Sequence, residues 1–246
     1  MKLANWQILL ALALVALSIV LYVIHFAIFR DSHHIFIYLL GDIAFIPIEV
    51  LLVTLVIHQL LSRREKRAML EKMNMVIGAF FTEVGTELLK KLSQLDSKVN
   101  TIRTELAPTG NWSDQRFRDA SRLVKQHRGA IECTREDLAR LRDFLGEKEV
   151  FVLRLLENPN LLEHDVFTEL LWAVSHLAEE LAYRRNIRDI PDTDRAHLIG
   201  DVERAYKLLI VEWLDYMKHL KNYYPYLYSL ALRTNPFDPE AQPEVS

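Results

Sequence analysis

Ile35–Leu61, IFIYLLGDIAFIPIEVLLVTLVIHQLL, is a 27-residue apolar run interrupted near its middle by Asp42, Pro47 and Glu49. A helix needs ~20 apolar residues to cross ~30 Å of hydrocarbon, so this run is long enough to span. Trp6–Phe29 is a second such run, and only RDSHH (30–34) separates the two. A signal peptide's apolar core is only about 7 to 15 residues, and FAIFRDS (26–32) offers no small-x-small cleavage site, so a retained helix is expected. The short connection predicts an antiparallel transmembrane hairpin in contact with the lipid bilayer.

Charge divides the chain at the same place. Only five of its 63 charged residues, Lys2, Arg30, Asp31, Asp42 and Glu49, precede position 62. The mean hydropathy of +0.04 is therefore an average over two unlike parts. The remaining 185 residues, with 28 basic and 30 acidic side chains, are enough for a packed core and give no reason to expect nucleic acid. SRREKR (62–67) after the second run, with Lys2 before the first, predicts both termini in the cytoplasm of a multi-pass inner-membrane protein. Cys133 is the only cysteine, which excludes an intrachain disulfide and a cysteine-based metal site.

The polar residues of the two runs are the candidate site. With the second run centred near Ile48, Glu49 lies at the midplane and Asp42 about 9 Å from it at 1.5 Å per residue. A carboxylate there costs at least ~2.5–3.5 kcal/mol, so each should face protein or water or carry a proton. Ser18, Tyr22 and His25 form a matching stripe on the first run. Centring both runs predicts a His25–Asp42 contact, with Ser18 or Tyr22 near Glu49. Pro47 removes one backbone donor, which should bend the helix and free the Ile43 carbonyl. Such a stripe fits an ion or proton path, a sensor for a membrane-embedded ligand, or glue between helices or copies.

No proline occurs between Pro47 and Pro108. Leu70, Met73, Ile77, Phe80, Val84, Leu88, Leu92, Leu95, Val99, Ile102 and Leu106 recur every three or four positions, a coiled-coil-like seam with a stutter at Val84–Leu88. Its cover is either the chain's own bundle or a second copy of the chain; the second copy is favoured, making a homo-oligomer. Gly78 and Gly85 within it imply a helix bend or close packing, since each costs ~1 kcal/mol relative to alanine.

APTGNWSD (107–114) reads as a linker. Beyond it, amphipathic segments capped at Ser113 and Thr134 predict an antiparallel helical bundle. Two further segments carry regular apolar faces, from Phe167 to Leu181 and from Leu198 to Leu220. His176–Glu180 and Asp215–His219 have i, i+4 ligand spacing but project away from the apolar arcs, so no metal site is expected.

Nucleotide, hydrolase and kinase motifs are absent, and no cofactor or enzymatic activity is expected. The expected architecture is all-α: a transmembrane hairpin over 1–61 (spans about 6–29 and 35–61), a juxtamembrane coiled-coil-like helix over 62–107, a cytoplasmic bundle over 108–234 and a flexible tail over 235–246. Two functions fit. The first is a non-enzymatic membrane-anchored scaffold or signalling module that binds a cytoplasmic protein; the second is a small ion or proton channel or transport subunit using Asp42 and Glu49.

Overall fold

The computed structural model describes residues 2–127, 129–159, 161 and 164–244, and the described residues are helical with no strand. They divide into two compact units, residues 1–66 and 67–246. In the first unit α1 (Lys2–Phe29) is joined to the start of α2 (Ser32–Phe80) through Arg30 and Asp31 alone. Arg30 takes the left-handed conformation (φ 48°) that ends many helices, and its amide donates to the Phe26 carbonyl at 2.8 Å. Asp31 Oδ1 accepts the His34 amide at 3.1 Å and so caps α2. The connection is thus two residues, shorter than the five expected, because Ser32, His33 and His34 are helical. Pro47 lies inside α2, and the helix continues through it.

In the second unit the seam does not continue as one helix to Leu106. α2 passes into a π turn at Phe81–Gly85, then α3 (Thr86–Leu95), and stops at Asp96, whose backbone is extended. The π turn falls where the apolar period slips. Its extra residue lets consecutive side chains Phe80 and Phe81 both enter the core, at 0% and 1% exposure. The Phe81 ring stacks on Tyr216 at 4.9 Å, and Phe80 meets Phe167 edge-on at 5.5 Å.

Asp96 ends the helix because its buried carboxylate has other partners. Oδ1 accepts the amides of Lys98 and Ala130, both at 3.0 Å, and the backbone bridges to Ile131. Short 3₁₀ turns at Val99–Thr101 and Arg103–Leu106 follow. These turns repeat every three residues, which is why they imitated a coiled-coil period.

The seam residues Met73, Ile77, Val84, Leu88, Leu92, Val99, Ile102 and Leu106 are buried within this one chain; the side chain of Leu70 lies outside those described. Their cover is the chain's own bundle, so the seam gives no ground for a second copy. That bundle comprises α4 (Asp114–Gln126), α5 (Arg135–Leu156), α6 (Asp165–Ala182), α7 (Asp192–Tyr223) and α8 (Pro225–Arg233). α7 is its centre: α3, α4, α6 and α8 pack on it, and α5 packs on α6. The predicted apolar faces are the buried ones, including Phe167, Leu170, Val174 and Leu177 on α6 and Leu198, Val202, Leu209 and Trp213 on α7.

The caps form as expected. The Ser113 hydroxyl accepts the Arg116 amide, and Thr134 with Asp137 makes a reciprocal capping box. Burial pushes the Asp137 carboxyl up, but hydrogen bonds from Thr134 and Arg140 outweigh it and hold the group below its usual range. The expected flexible tail begins as docked structure instead. Asn235 donates to the Leu106 carbonyl at 3.0 Å, and the buried Phe237 ring meets Trp213 edge-on at 5.3 Å.

Candidate functional site

In the hairpin unit a cleft of about 520 Å³ opens between α1 and α2, lined by Ser18, Leu21, Tyr22, His25, His34, Ile35, Tyr38 and Asp42. Ser18, Tyr22 and His25 recur at helical spacing on α1, and His34, Tyr38 and Asp42 are four residues apart on α2, so each helix contributes one polar edge. The structure therefore brings four of the five predicted stripe residues to one place. Glu49 is not among the lining residues and is exposed.

The pairing within the cleft differs from the one expected. His25 stacks on His34, with ring centroids 6.1 Å apart, and His34 lies 4.6 Å from the Tyr38 ring. No hydrogen bond or ion pair joins His25 to Asp42 among the described residues. The reason is the turn: folding about Arg30–Asp31 sets the register, whereas centring the apolar runs displaced α2 by about two turns of 3.6 residues. Ser18 and Tyr22 accordingly share the cleft with Asp42 and not with Glu49. His34, expected in the loop, lies on α2, and its spacing with Tyr38 and Asp42 is the signal that places it there. Two imidazoles, two phenols, a hydroxyl and a carboxylate along one cleft are groups that hold a cation, pass a proton or bond to another helix.

The two glycines of the seam, Gly78 and Gly85, play different parts. A Cβ on Gly78 would meet Tyr216 at 3.6 Å, an ordinary contact, so a methyl group fits there and the packing of α2 beside Tyr216 does not require a glycine. A Cβ on Gly85 would lie 2.7 Å from Phe81 and 2.8 Å from Phe80, so the two rings of the π turn exclude a side chain there.

Two buried polar groups on α7, Asp201 and Glu212, are not among the residues expected at a site from the sequence. Glu212 is 1% exposed, and burial together with Asp215 pushes its carboxyl up to about 8. His164 Nε2 lies 3.9 Å from its Oε1, and Oε2 has no hydrogen-bond partner. Asp201, 3% exposed, lies beside His176 and His197. Among the residues considered as ligands, His219 packs on the rings of Tyr223 and Tyr224, and no ion pair joins it to Asp215 among the described residues. His176 and Glu180, although they project away from the apolar arc of α6, come together with His197 and Asp201 of α7.

Residues 69–233 match the family described as "Uncharacterized protein MJ1433, C-terminal helical domain", and residues 1–61 match "MJ1433, N-terminal helical domain". A protein of Methanocaldococcus jannaschii, "Uncharacterized protein MJ1433", is 48% identical over 234 residues, covering 95% of this chain and 94% of the relative. No solved structure matches the chain. With both parts matched and nearly the whole length shared, the chain belongs to the MJ1433 family, which joins an N-terminal to a C-terminal helical domain.

Proposed function

We propose that this protein is a non-enzymatic membrane-anchored scaffold or signalling module, with its hairpin in the cell membrane, both termini in the cytoplasm and its bundle binding a cytoplasmic protein. The observation that carries this reading is where uncovered apolar surface lies. The windows Ile8–Phe29 and Ser32–Glu65 are long and apolar enough to cross a membrane, and neither is buried. A core helix of a soluble protein would be covered by its own chain. The second unit, by contrast, buries its seam and its bundle faces within one copy.

The end of that unit favours a protein partner. Among the clustered tyrosines Tyr228 is 5% exposed and covers the core, while Tyr223 and Tyr226 remain 70% and 71% exposed. Exposed tyrosines are enriched at protein interfaces, where they supply area at low entropic cost. Purification in mild detergent, with mass measurement and identification of co-purifying proteins, tests the reading. A stoichiometric soluble partner that is lost on replacing Tyr223 and Tyr226 by Ser supports it; a discrete multimer without partner counts against it.

The hairpin cleft favours a second reading, a small ion or proton channel or transport subunit. Two helices cannot enclose a pore, so this reading requires several copies, with Asp42 and Glu49 brought together by assembly. Flux into proteoliposomes that disappears in Asp42→Asn and Glu49→Gln, with assembly intact, supports the channel. A scaffold gives no flux before replacement either.

A further inference from the structure

We propose that α6 and α7 together bind one divalent transition-metal ion, Zn²⁺ by preference, between His176 and Glu180 of one helix and His197 and Asp201 of the other. Each pair is separated by four residues, so each helix presents an imidazole and a carboxylate on one face. The pairs meet across the helix contact: His197 Nε2 lies 3.7 Å from Glu180 Oε2, and His176 Nε2 lies 3.8 Å from Asp201 Oδ2. Within α7, His197 Nε2 is 3.5 Å from Asp201 Oδ2. Ligand atoms of Glu180, His197 and Asp201 all fall within 4.8 Å of one another, and His176 stands outside that group, beside it through Asp201 Oδ2.

These separations suit a metal better than they suit hydrogen bonds. An N–H···O bond spans about 2.7–3.2 Å, and all three distances are longer. Tetrahedral zinc with bonds of ~2.0–2.1 Å places its ligand atoms about 3.4 Å apart, so small rotations bring Glu180, His197 and Asp201 onto one ion, and a larger swing of the exposed His176 ring supplies the fourth ligand.

The second observation is the state of Asp201. It is 3% exposed, and its Oδ1 is 3.3 Å from Arg204 Nη1. Its Oδ2, the oxygen that faces both imidazoles, is buried with no hydrogen-bond partner. An unsatisfied buried carboxylate oxygen is costly, and a cation between the four side chains would satisfy it. Arg204 on Asp201, and Arg184 on Glu180 at 2.7 Å, hold the carboxylates in place as outer partners.

Two imidazole nitrogens with two carboxylate oxygens fit Zn²⁺, Co²⁺ or Ni²⁺ and disfavour Mg²⁺ and Ca²⁺, which prefer all-oxygen shells. His176 and His197 are 45% and 57% exposed at their side chains, so an ion can enter from solvent. Four protein ligands leave no open position on tetrahedral zinc, so the ion acts as a clamp that ties bundle stability to metal supply.

The test uses the untagged full-length protein in detergent, stripped with chelator and titrated with ZnCl₂ against a chromophoric indicator, with CoCl₂ as a spectroscopic probe. The expected results are one ion per chain, the visible absorption of tetrahedral Co²⁺, and a rise in melting temperature on adding ZnCl₂. Losing an outer-shell partner alone weakens a site about 10- to 100-fold, so the double variant His176→Ala/His197→Ala should lose more than about 100-fold in affinity. That variant should also lose the Co²⁺ spectrum and the thermal shift while keeping its helical circular dichroism. Both positions are largely exposed, so the variant is expected to fold; Asp201→Asn provides an independent check. Binding well below one ion per chain, an octahedral Co²⁺ spectrum, or affinity unchanged in the double variant would overturn the proposal.

Discussion

Replacing Glu212 by Gln should change how the bundle's stability depends on pH. The carboxyl is 1% exposed on α7, and burial, with the charge of Asp215, raises it from 4.5 to about 8. Between those values the folded chain keeps a proton that the unfolded chain has released. The unfolded state therefore binds fewer protons, and stability falls as pH rises through this window. Each pH unit costs up to ~1.4 kcal/mol, so the full window of about 3.5 units amounts to ~5 kcal/mol. Gln stays neutral throughout and escapes that loss. Its unpartnered amide hydrogens cost about 1–3 kcal/mol, but equally at every pH. The variant is thus expected to be somewhat less stable than the wild type near pH 4.5 and more stable near pH 9. Urea unfolding in detergent, followed by tryptophan emission, measures this directly, because Trp213 and Trp112 are buried in the bundle at 2% and 8% exposure. Parallel stability curves for the two proteins from pH 4.5 to 9 would refute the reasoning.

Gly85→Ala should destabilise the bundle by roughly 1–3 kcal/mol, because its Cβ would overlap the Phe80 and Phe81 rings. Gly78→Ala meets only ordinary contact and should be neutral or stabilising by up to ~1 kcal/mol; thermal melts that rank the two the other way would contradict this assignment. Leu92→Ala, at a wholly buried seam position, should cost about 2–5 kcal/mol independently of protein concentration. A concentration-dependent loss would show that the seam is covered by another copy after all.

The features legible in the sequence were those set by local chemistry. The apolar runs, the caps at Ser113 and Thr134, and the buried faces of α6 and α7 each follow from spacing along a single helix. Pairing between helices was less legible. The hairpin register depended on whether His33 and His34 were loop or helix, and that choice moved the neighbour of His25 from Asp42 to His34. The helix end at Asp96 was hidden because 3₁₀ turns kept Val99, Ile102 and Leu106 in apparent phase. Asp201 and Glu212 follow the buried residues Leu198 and Leu209 by three positions, so their burial was implicit in the pattern of α7. What lies opposite them depends on how α6 and the segment before it pack, and no local spacing records that.

Cysteine accessibility tests the proposed membrane topology most directly. The native Cys133 stays silent, because it is buried and burial, with Asp137 nearby, pushes its thiol up to about 12. Single cysteines at Ser32, Ser62 and Leu14 are then treated with a membrane-impermeant maleimide. Ser32→Cys should react in intact cells and Ser62→Cys only after permeabilisation. Leu14→Cys should react in neither, since residue 14 is 58% exposed in the chain itself and only lipid would protect it. Free labelling at position 14, or labelling at position 62 in intact cells, would contradict the account.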